Sequence, residues 1–367
     1  MSAPTKPSRR SRGSVTIEDV AREAGVSAMT VSRVINKEPN VRDETRQNVL
    51  ETIERMNYSP NTAARNLAAG EATHIGLLYS NPSAAYLSQF LVGALEAARE
   101  SGCHLVIEAC ESESEAEQRE VVRRFAQADA EGVILPPPLS ESVPILSELE
   151  ASGTPIVTVA MGQLHPNALN VRIDDFAAAK EITDYLIGLG HKRIGLIKGH
   201  PDQIASAERE RGFMAAVTEA GLRKSDIAVV QGYFTFRSGL EAAEKLLGRV
   251  NPPTAIFASN DDMAAAVVSV AHRRGLDVPR DVSVVGFDDT APATTVWPEL
   301  TTIRQPVSAM AAAALNLLLA DLKIRRRVRG GSSQEVILDH ELVIRESSGP
   351  PPPTDKAGRS ELQGVRA

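Results

Sequence analysis

Residues 15–36 read VTIEDVAREAGVSAMTVSRVIN, and the first part of the fold turns on them. The apolar residues fall into two short helical stripes: Ile17, Val20 and Ala21 before Gly25, then Val31, Val34 and Ile35 after it. Thr16 is placed to cap the first helix, with Asp19 three residues on to complement it. Gly25 can end that helix in the left-handed region at little steric cost. Ser27 caps the second helix, and a third follows from about Asp43 to Met56 with Val49, Ile53 and Met56 inward. Two short helices around a tight glycine turn describe a helix-turn-helix, whose second helix enters the major groove of DNA. On spacing alone, any small three-helix bundle fits equally well.

Outward from this stretch, charge divides the chain. The net charge of −7 splits into +3 through Gly70, from 11 Lys or Arg against 8 Asp or Glu, which leaves −10 for the remainder. A basic head on an acidic body suits a head that meets phosphates. Hydrophobic and charged contents of 43% and 24% are those of an ordinary globular protein. No apolar run is read as approaching the roughly 20 residues that span a bilayer, so no membrane contact is expected. The opening MSAPTKPSRRSRG lacks the apolar stretch of a signal peptide, and a cytoplasmic, nucleoid-associated protein is expected. Cys103 and Cys110 match no metal-binding spacing and read as core residues; neither a metal nor a cofactor is expected.

From His74 onward the pattern changes. HIGLLY, HLVIEA, GVILP and PIVTV form one set of strands, and RIGLIKG, DIAVVQG, TAIFASN and DVSVVGF form a second, all separated by helix-length segments. Near-continuous apolar strands alternating with amphipathic helices mean parallel sheets covered on both faces. The fold class is therefore α/β, with an all-α helix-turn-helix domain ahead of a two-lobed, doubly wound parallel-sheet domain of the periplasmic-binding-protein type. A cleft is expected at the carboxyl ends of the strands, where such sheets bind ligands.

In the second helix Ala28 and Met29 come first and Arg33 lies one turn beyond Met29, opposite the apolar stripe. Arg33 can pair bidentately with guanine, a contact worth about 1–3 kcal/mol of discrimination. Ser27, Thr30, Ser32 and Asn36 are short donors suited to phosphates. The strings DVA-x-x-AGVS-x-x-TVSRV-x-N and NY-x-PN-x-x-AR-x-LA, with LIGLGHKRIGLIKG, SNDDMA, DVSVVGFDD and PELTTIRQP further on, closely resemble the lac repressor (LacI/GalR) family over residues 15 to 346. That resemblance implies that Ala28, Met29 and Arg33 read bases, and that Thr16 and Tyr58 belong to the same DNA contact set. It also implies a hinge helix in SPNTAARNLAAG. There Leu67 wedges between base pairs in the minor groove and Asn61, Ala64 and Ala68 line the contact. Arg42 departs from the family, standing where many relatives carry a small capping residue.

Cleft candidates are the YSNPSAAY segment with Asn81 and Tyr86, then Arg209, Phe234, Asn260 and Asp288, each at a strand end or the start of the next helix. The resemblance makes Arg209, Asn260 and Asp288 polar ligands of a small-molecule effector, with Phe234 stacking on it and Tyr86 nearby. Such a set suits a sugar or glycoside. Ala160 and Met161 stand where many sugar-binding relatives carry a polar residue, which leaves a more apolar ligand open. Asp288 and Asp289 as turn caps, Phe234 as core and Arg209 as a solvated partner of Glu208 are the plainer alternatives. Trp297 either closes over the ligand or packs at the lobe boundary.

No G-x-S-x-G, H-E-x-x-H or Gly-rich phosphate loop occurs, so no enzyme is expected. A transporter's solute receptor also fits a two-lobed body, but not a DNA-reading head. The expected organisation is a disordered tail over 1–14, a DNA-binding domain over 15–59, a hinge over 60–70, a body over 71–347 and a disordered tail over 348–367. Within the body, the first lobe takes about 74–173 with 304–331 and the second about 174–303 with 332–347. The expected partners are double-stranded DNA with a near-palindromic operator, the effector, and a second copy of the chain. Dimer contacts are expected from the helices around Ala84–Arg99 and Met263–Arg274.

Overall fold

A computed structural model describes residues 16–35, 41–56, 73–111, 114–126, 130–162, 165–325 and 334–353. The chain divides into two compact units, Met1–Glu71 and Ala72–Ala367, which are described separately.

The first unit holds α1 (Ile17–Ala24), α2 (Ala28–Ile35) and α3 (Asp43–Arg55). Thr16 and Asp19 form the expected capping box: the Thr16 hydroxyl accepts from the Asp19 N–H at 3.3 Å, and the Asp19 carboxylate from the Thr16 N–H at 3.1 Å. Gly25 has φ 67°, the left-handed conformation that glycine adopts without a Cβ clash. Ser27 Oγ accepts from the Thr30 N–H at 3.1 Å and starts α2. Val20, Ala21, Ala24, Val31, Val34 and Val49 bury one small core. The Asn48 amide donates to the Ala24 carbonyl at 3.0 Å, tying α3 to the end of α1. Arg42 precedes α3 without a side-chain cap, as its departure from the family foretold.

The second unit contains two six-stranded sheets. The first is built from β1 (His74–Tyr79), β2 (His104–Ala109), β3 (Gly132–Leu135), β4 (Ile156–Val159), β5 (Leu169–Arg172) and β11 (Glu335–Ile337). The second takes β6 (Ile194–Lys198), β7 (Ile227–Gln231), β8 (Ala255–Ala258), β9 (Ser283–Asp288), β10 (Thr301–Arg304) and β12 (Glu341–Val343). Their orders are β11-β5-β4-β3-β1-β2 and β12-β10-β9-β8-β6-β7, and every pairing is parallel except β10 with β12. Strands β3, β4, β8 and β9 are buried along their whole length, as continuous apolar runs covered on both faces must be.

Between the strands run α4 (Ala84–Ser101), α5 (Glu115–Ala126), α6 (Val143–Ser152), α7 (Asp175–Gly188), α8 (Ile204–Glu219), α9 (Phe236–Leu247), α10 (Asp261–Arg273), α11 (Ala291–Thr295) and α12 (Val307–Arg325). The last of these corrects one expectation. By length and composition α12 is apolar enough to cross a membrane. Its Met310, Ala314, Leu315 and Leu318 instead sit in the core of the first lobe beside Ile75 and Phe90.

The chain crosses between the lobes three times, after β5, after β10 and after β11. The third crossing corrects the expected boundary at 332. Strand β11 pairs with β5 in the first sheet, and Arg172 Nε meets Glu335 Oε1 at 2.8 Å across that pair. Only β12 returns to the second lobe. The tail expected to be disordered from 348 is also corrected for its described part. Ser347 is fully buried, and the Gly349 carbonyl accepts from the His191 ring at 2.9 Å. The Gly349 N–H donates to Ser283 Oγ at 3.0 Å. With their polar groups bonded to the second lobe, residues 347–349 dock rather than fray.

Candidate functional site

In the first unit, α2 turns Val31 and Val34 into the core and presents Met29, 65% exposed, with Arg33 exposed one turn on. Ser27 is exposed, while Ala28, Thr30 and Ser32 are half-buried along the same helix. The Ser27 and Thr30 hydroxyls lie 2.9 Å apart, and the exposed Thr16 donates its hydroxyl to Asp19 at 2.7 Å. Asn36, Tyr58, Asn61, Ala64, Leu67 and Ala68 lie outside the described residues.

In the second unit, a cavity opens between the carboxyl ends of the two sheets. All six residues expected there line it: Asn81, Tyr86, Arg209, Phe234, Asn260 and Asp288. Asn81 follows β1 and Tyr86 sits in the first turn of α4, capped by Ser83. Arg209 projects from α8, Phe234 follows β7, Asn260 caps α10, and Asp288 ends β9. Parallel strands that finish level with one another bring these side chains together.

Backbone strain concentrates here. Ala160 (φ 56°), Phe234 (φ 60°), Asp288 (φ 107°) and Asp289 (φ 55°) hold positive φ without being glycine, and the first three line the cavity. Asn260 braces one of them. Its amide donates to the Phe234 carbonyl at 2.9 Å while its oxygen accepts from the Met263 N–H at 3.0 Å. Asn260 is therefore more committed to holding Phe234 than a free ligand group would be. Gly199 completes the support, since a Cβ there would overlap the Phe234 ring.

Arg209 is the electrostatic centre, and it is 4% exposed rather than solvated. Its Nε donates to Asp175 at 2.8 Å, Nη1 donates to the Ser259 carbonyl, and Asp288 Oδ1 lies 3.7 Å away. The guanidinium stacks on Phe287 with its carbon 3.6 Å from the ring centre. Burial pushes the Asp288 carboxyl up to about 7, against the pull of Arg209 and of Gln305. Asp175 is also raised by burial, which outweighs its direct pairing with Arg209. Burial raises the Tyr86 phenol as well, and its hydroxyl has no hydrogen-bond partner among the described residues.

Sequence reasoning missed three residues of this site. Gln203 and Gln305 line the cavity, and Asp175 holds Arg209. Gln305 stood in the PELTTIRQP string, but the short strand β10 that delivers it carried no clear periodicity. Asp175 was visible as half of an adjacent acidic pair, with nothing to link it to Arg209. Trp297 is 72% exposed and does not line the cavity.

Hydrogen bonds also bridge the lobes around this cleft. Ser83 Oγ, at the start of α4, donates to Asp262 Oδ2 at 2.6 Å. The Ile204 N–H, the first of α8, donates to Glu141 Oε2 at 2.9 Å. The residue before α8, Gln203, supplies no side-chain cap, so Glu141 caps this helix from the other lobe. Burial raises Glu141 to about 7, with the Ile204 N–H acting in the opposite direction.

Two family descriptions match the chain: "Bacterial regulatory proteins, lacI family" over residues 16–61 and "Periplasmic binding protein-like domain" over 183–348. Catabolite control protein A of Priestia megaterium is 36% identical over 337 residues, covering 91% of this chain and 99% of that protein. Among solved structures, a transcriptional regulator CelR–cellobiose complex superposes with TM-score 0.69 at 30% identity, covering 91% of this chain and 100% of that one. The lac repressor dimer bound to operator and the anti-inducer ONPF gives 0.68 at 26% identity, with coverages of 92% and 100%.

Proposed function

Since the chain belongs to the lacI family of bacterial regulatory proteins and is a DNA-binding transcriptional regulator, we propose that it is a repressor whose hold on a near-palindromic operator is switched by a sugar or glycoside bound between its lobes. The observation that carries the effector half is the convergence of Asn81, Tyr86, Arg209, Phe234, Asn260 and Asp288 on one cavity with strained backbone at three of its lining residues. Strain of that kind persists where function requires it. The cavity lies between lobes joined by three crossings, so a ligand there acts on their mutual orientation.

The DNA half rests on α2. Met29 and Arg33 form its exposed face and, with Ala28, read base edges, while Ser27, Thr30, Ser32 and Asn36 hold phosphates and Thr16 and Tyr58 add to the DNA contact. Leu67, flanked by Asn61, Ala64 and Ala68, wedges the minor groove when two hinges pair. Two copies of the chain read two half-sites, and their two-fold axis gives the operator its symmetry. Val92 and Leu95, each about half exposed on α4, support a dimer face there. The protein works in the cytoplasm on the nucleoid and carries out no catalysis.

The test is fluorescence anisotropy of the full-length protein on duplexes from around its own gene, with and without candidate sugars, beside sedimentation to read the oligomer. Specific retention of one symmetric duplex by a dimer, altered by a sugar, is the expected result. Failure to bind any such duplex above random DNA overturns the reading.

A further inference from the structure

Resting on that reading, we infer that the cleft selects an uncharged, hydroxyl-bearing ligand and rejects the phosphorylated form of the same molecule. Arg209 is the only cationic side chain among the described residues lining the cavity. Its charge is already answered twice, by Asp175 at 2.8 Å and Asp288 at 3.7 Å. Its flat face is taken by Phe287. No uncommitted cation faces the ligand, and with both carboxylates ionised the group carries one excess negative charge. A phosphate monoester brings about −1.5 to −2 more.

Hydrogen-bond accounting points the same way. Gln305 donates its amide N–H to Asp288 Oδ1 at 2.6 Å. In its ionised form the Asp288 carboxylate only accepts, so the amide nitrogen faces it and Oε1 is left as the presented atom. That Oε1 is buried without a partner, and so is the Tyr86 hydroxyl, on residues 4% and 5% exposed. Gln305 Oε1 and the Asp288 carboxylate both require a donor, and Tyr86 can donate or accept. Sugar hydroxyls supply donors and acceptors together, whereas phosphate oxygens set acceptor against acceptor. Buried polar atoms left unmatched reject a ligand by large factors. Gln305 is thus the residue that sets donor specificity, and Asp288 sets charge.

The experiment is calorimetric titration and thermal shift of the full-length protein with glucose, ribose and cellobiose, each beside its own phosphate monoester. At least one neutral sugar should bind, and its phosphate at least about 100-fold more weakly. A phosphate ester that binds equally well or better overturns the charge argument while leaving a sugar-responsive regulator standing. If no sugar of either kind binds, the sugar reading itself falls, and this inference with it. Asp288→Asn keeps the shape and suits the positive φ. It should narrow the neutral-to-phosphate ratio at least about tenfold. Equal weakening of both forms would reduce Asp288 to a structural support and overturn its role in selection.

Discussion

Asp288 should cost the folded protein stability, and Asp288→Asn should recover it. The carboxyl is buried beside Asp175, in reach of one shared arginine, and titrates at about 7 rather than the ordinary 3.8. At 1.36 kcal/mol per pH unit, that difference sets a ceiling of about 4 kcal/mol on the penalty for its ionised form in the fold. Relaxation and water entry reduce this to about 2 kcal/mol. The sign follows from linkage. A carboxyl raised above its unfolded value binds more protons when folded, so the protein loses stability as pH rises from about 4 to 7 and the full penalty stands above 7. Asparagine carries no charge and tolerates the φ of 107° at this position. Asp288→Asn should therefore melt about 3 °C above wild type at pH 8, with the gap closing towards pH 4. Differential scanning calorimetry of the two proteins across pH measures this. An Asp288→Asn protein that melts below wild type at pH 8, or a gap that does not vary with pH, refutes the reasoning. Asp288→Ala, which removes the polar group altogether, should hold its operator yet lose the response to effector, which a repeat of the anisotropy titration reads.

At pH 5, below the value of about 7 to which burial raises Glu141, Glu141→Ala removes the cap that reaches α8 from the other lobe and should destabilise the body by about 1 kcal/mol, read as a lower melting point; Glu141→Gln keeps an acceptor and should lose less, and equal losses would deny the cap. Leu67→Gly should weaken operator binding far more than binding to random duplex, and equal losses would rule out the wedge. Operator affinity should fall roughly 10³–10⁵-fold between 50 and 200 mM salt if six to ten phosphates are neutralised, and a flat profile in anisotropy titrations would contradict phosphate-dominated docking.

The helical head was almost wholly legible before any coordinates. Thr16 with Asp19, Gly25, and Ser27 with Thr30 act within four residues of one another, and the structure realises each of them. The eight mostly apolar strands were legible for a related reason. A strand buried on both faces is apolar along its length, and runs such as GVIL and AIFA are. The short strands escaped notice: LNVR, TTIR, EVI and ELV are three or four residues each and mix polar with apolar positions. Missing them misplaced the boundary between the lobes and hid Gln305 at the end of one. The helix α12 was passed over as a long apolar run, although a core helix and a membrane helix share one composition and differ only in what surrounds them.

The sequence by itself determined the three-helix head and the doubly wound body, because caps, turns and apolar periodicity are local signals; its resemblance to the lac repressor family, rather than spacing, made the head a helix-turn-helix and gave the cleft side chains their roles. Only the tertiary structure decided that Asp175 answers Arg209 across 34 positions of chain, that Glu141 caps a helix 63 positions away, and that the segment around Gly349 docks 158 positions from His191. It alone decided the charge state of Asp288 as well. Burial and the nearness of other charges set a carboxyl's affinity for its proton, and both exist only once distant stretches of chain have closed around it.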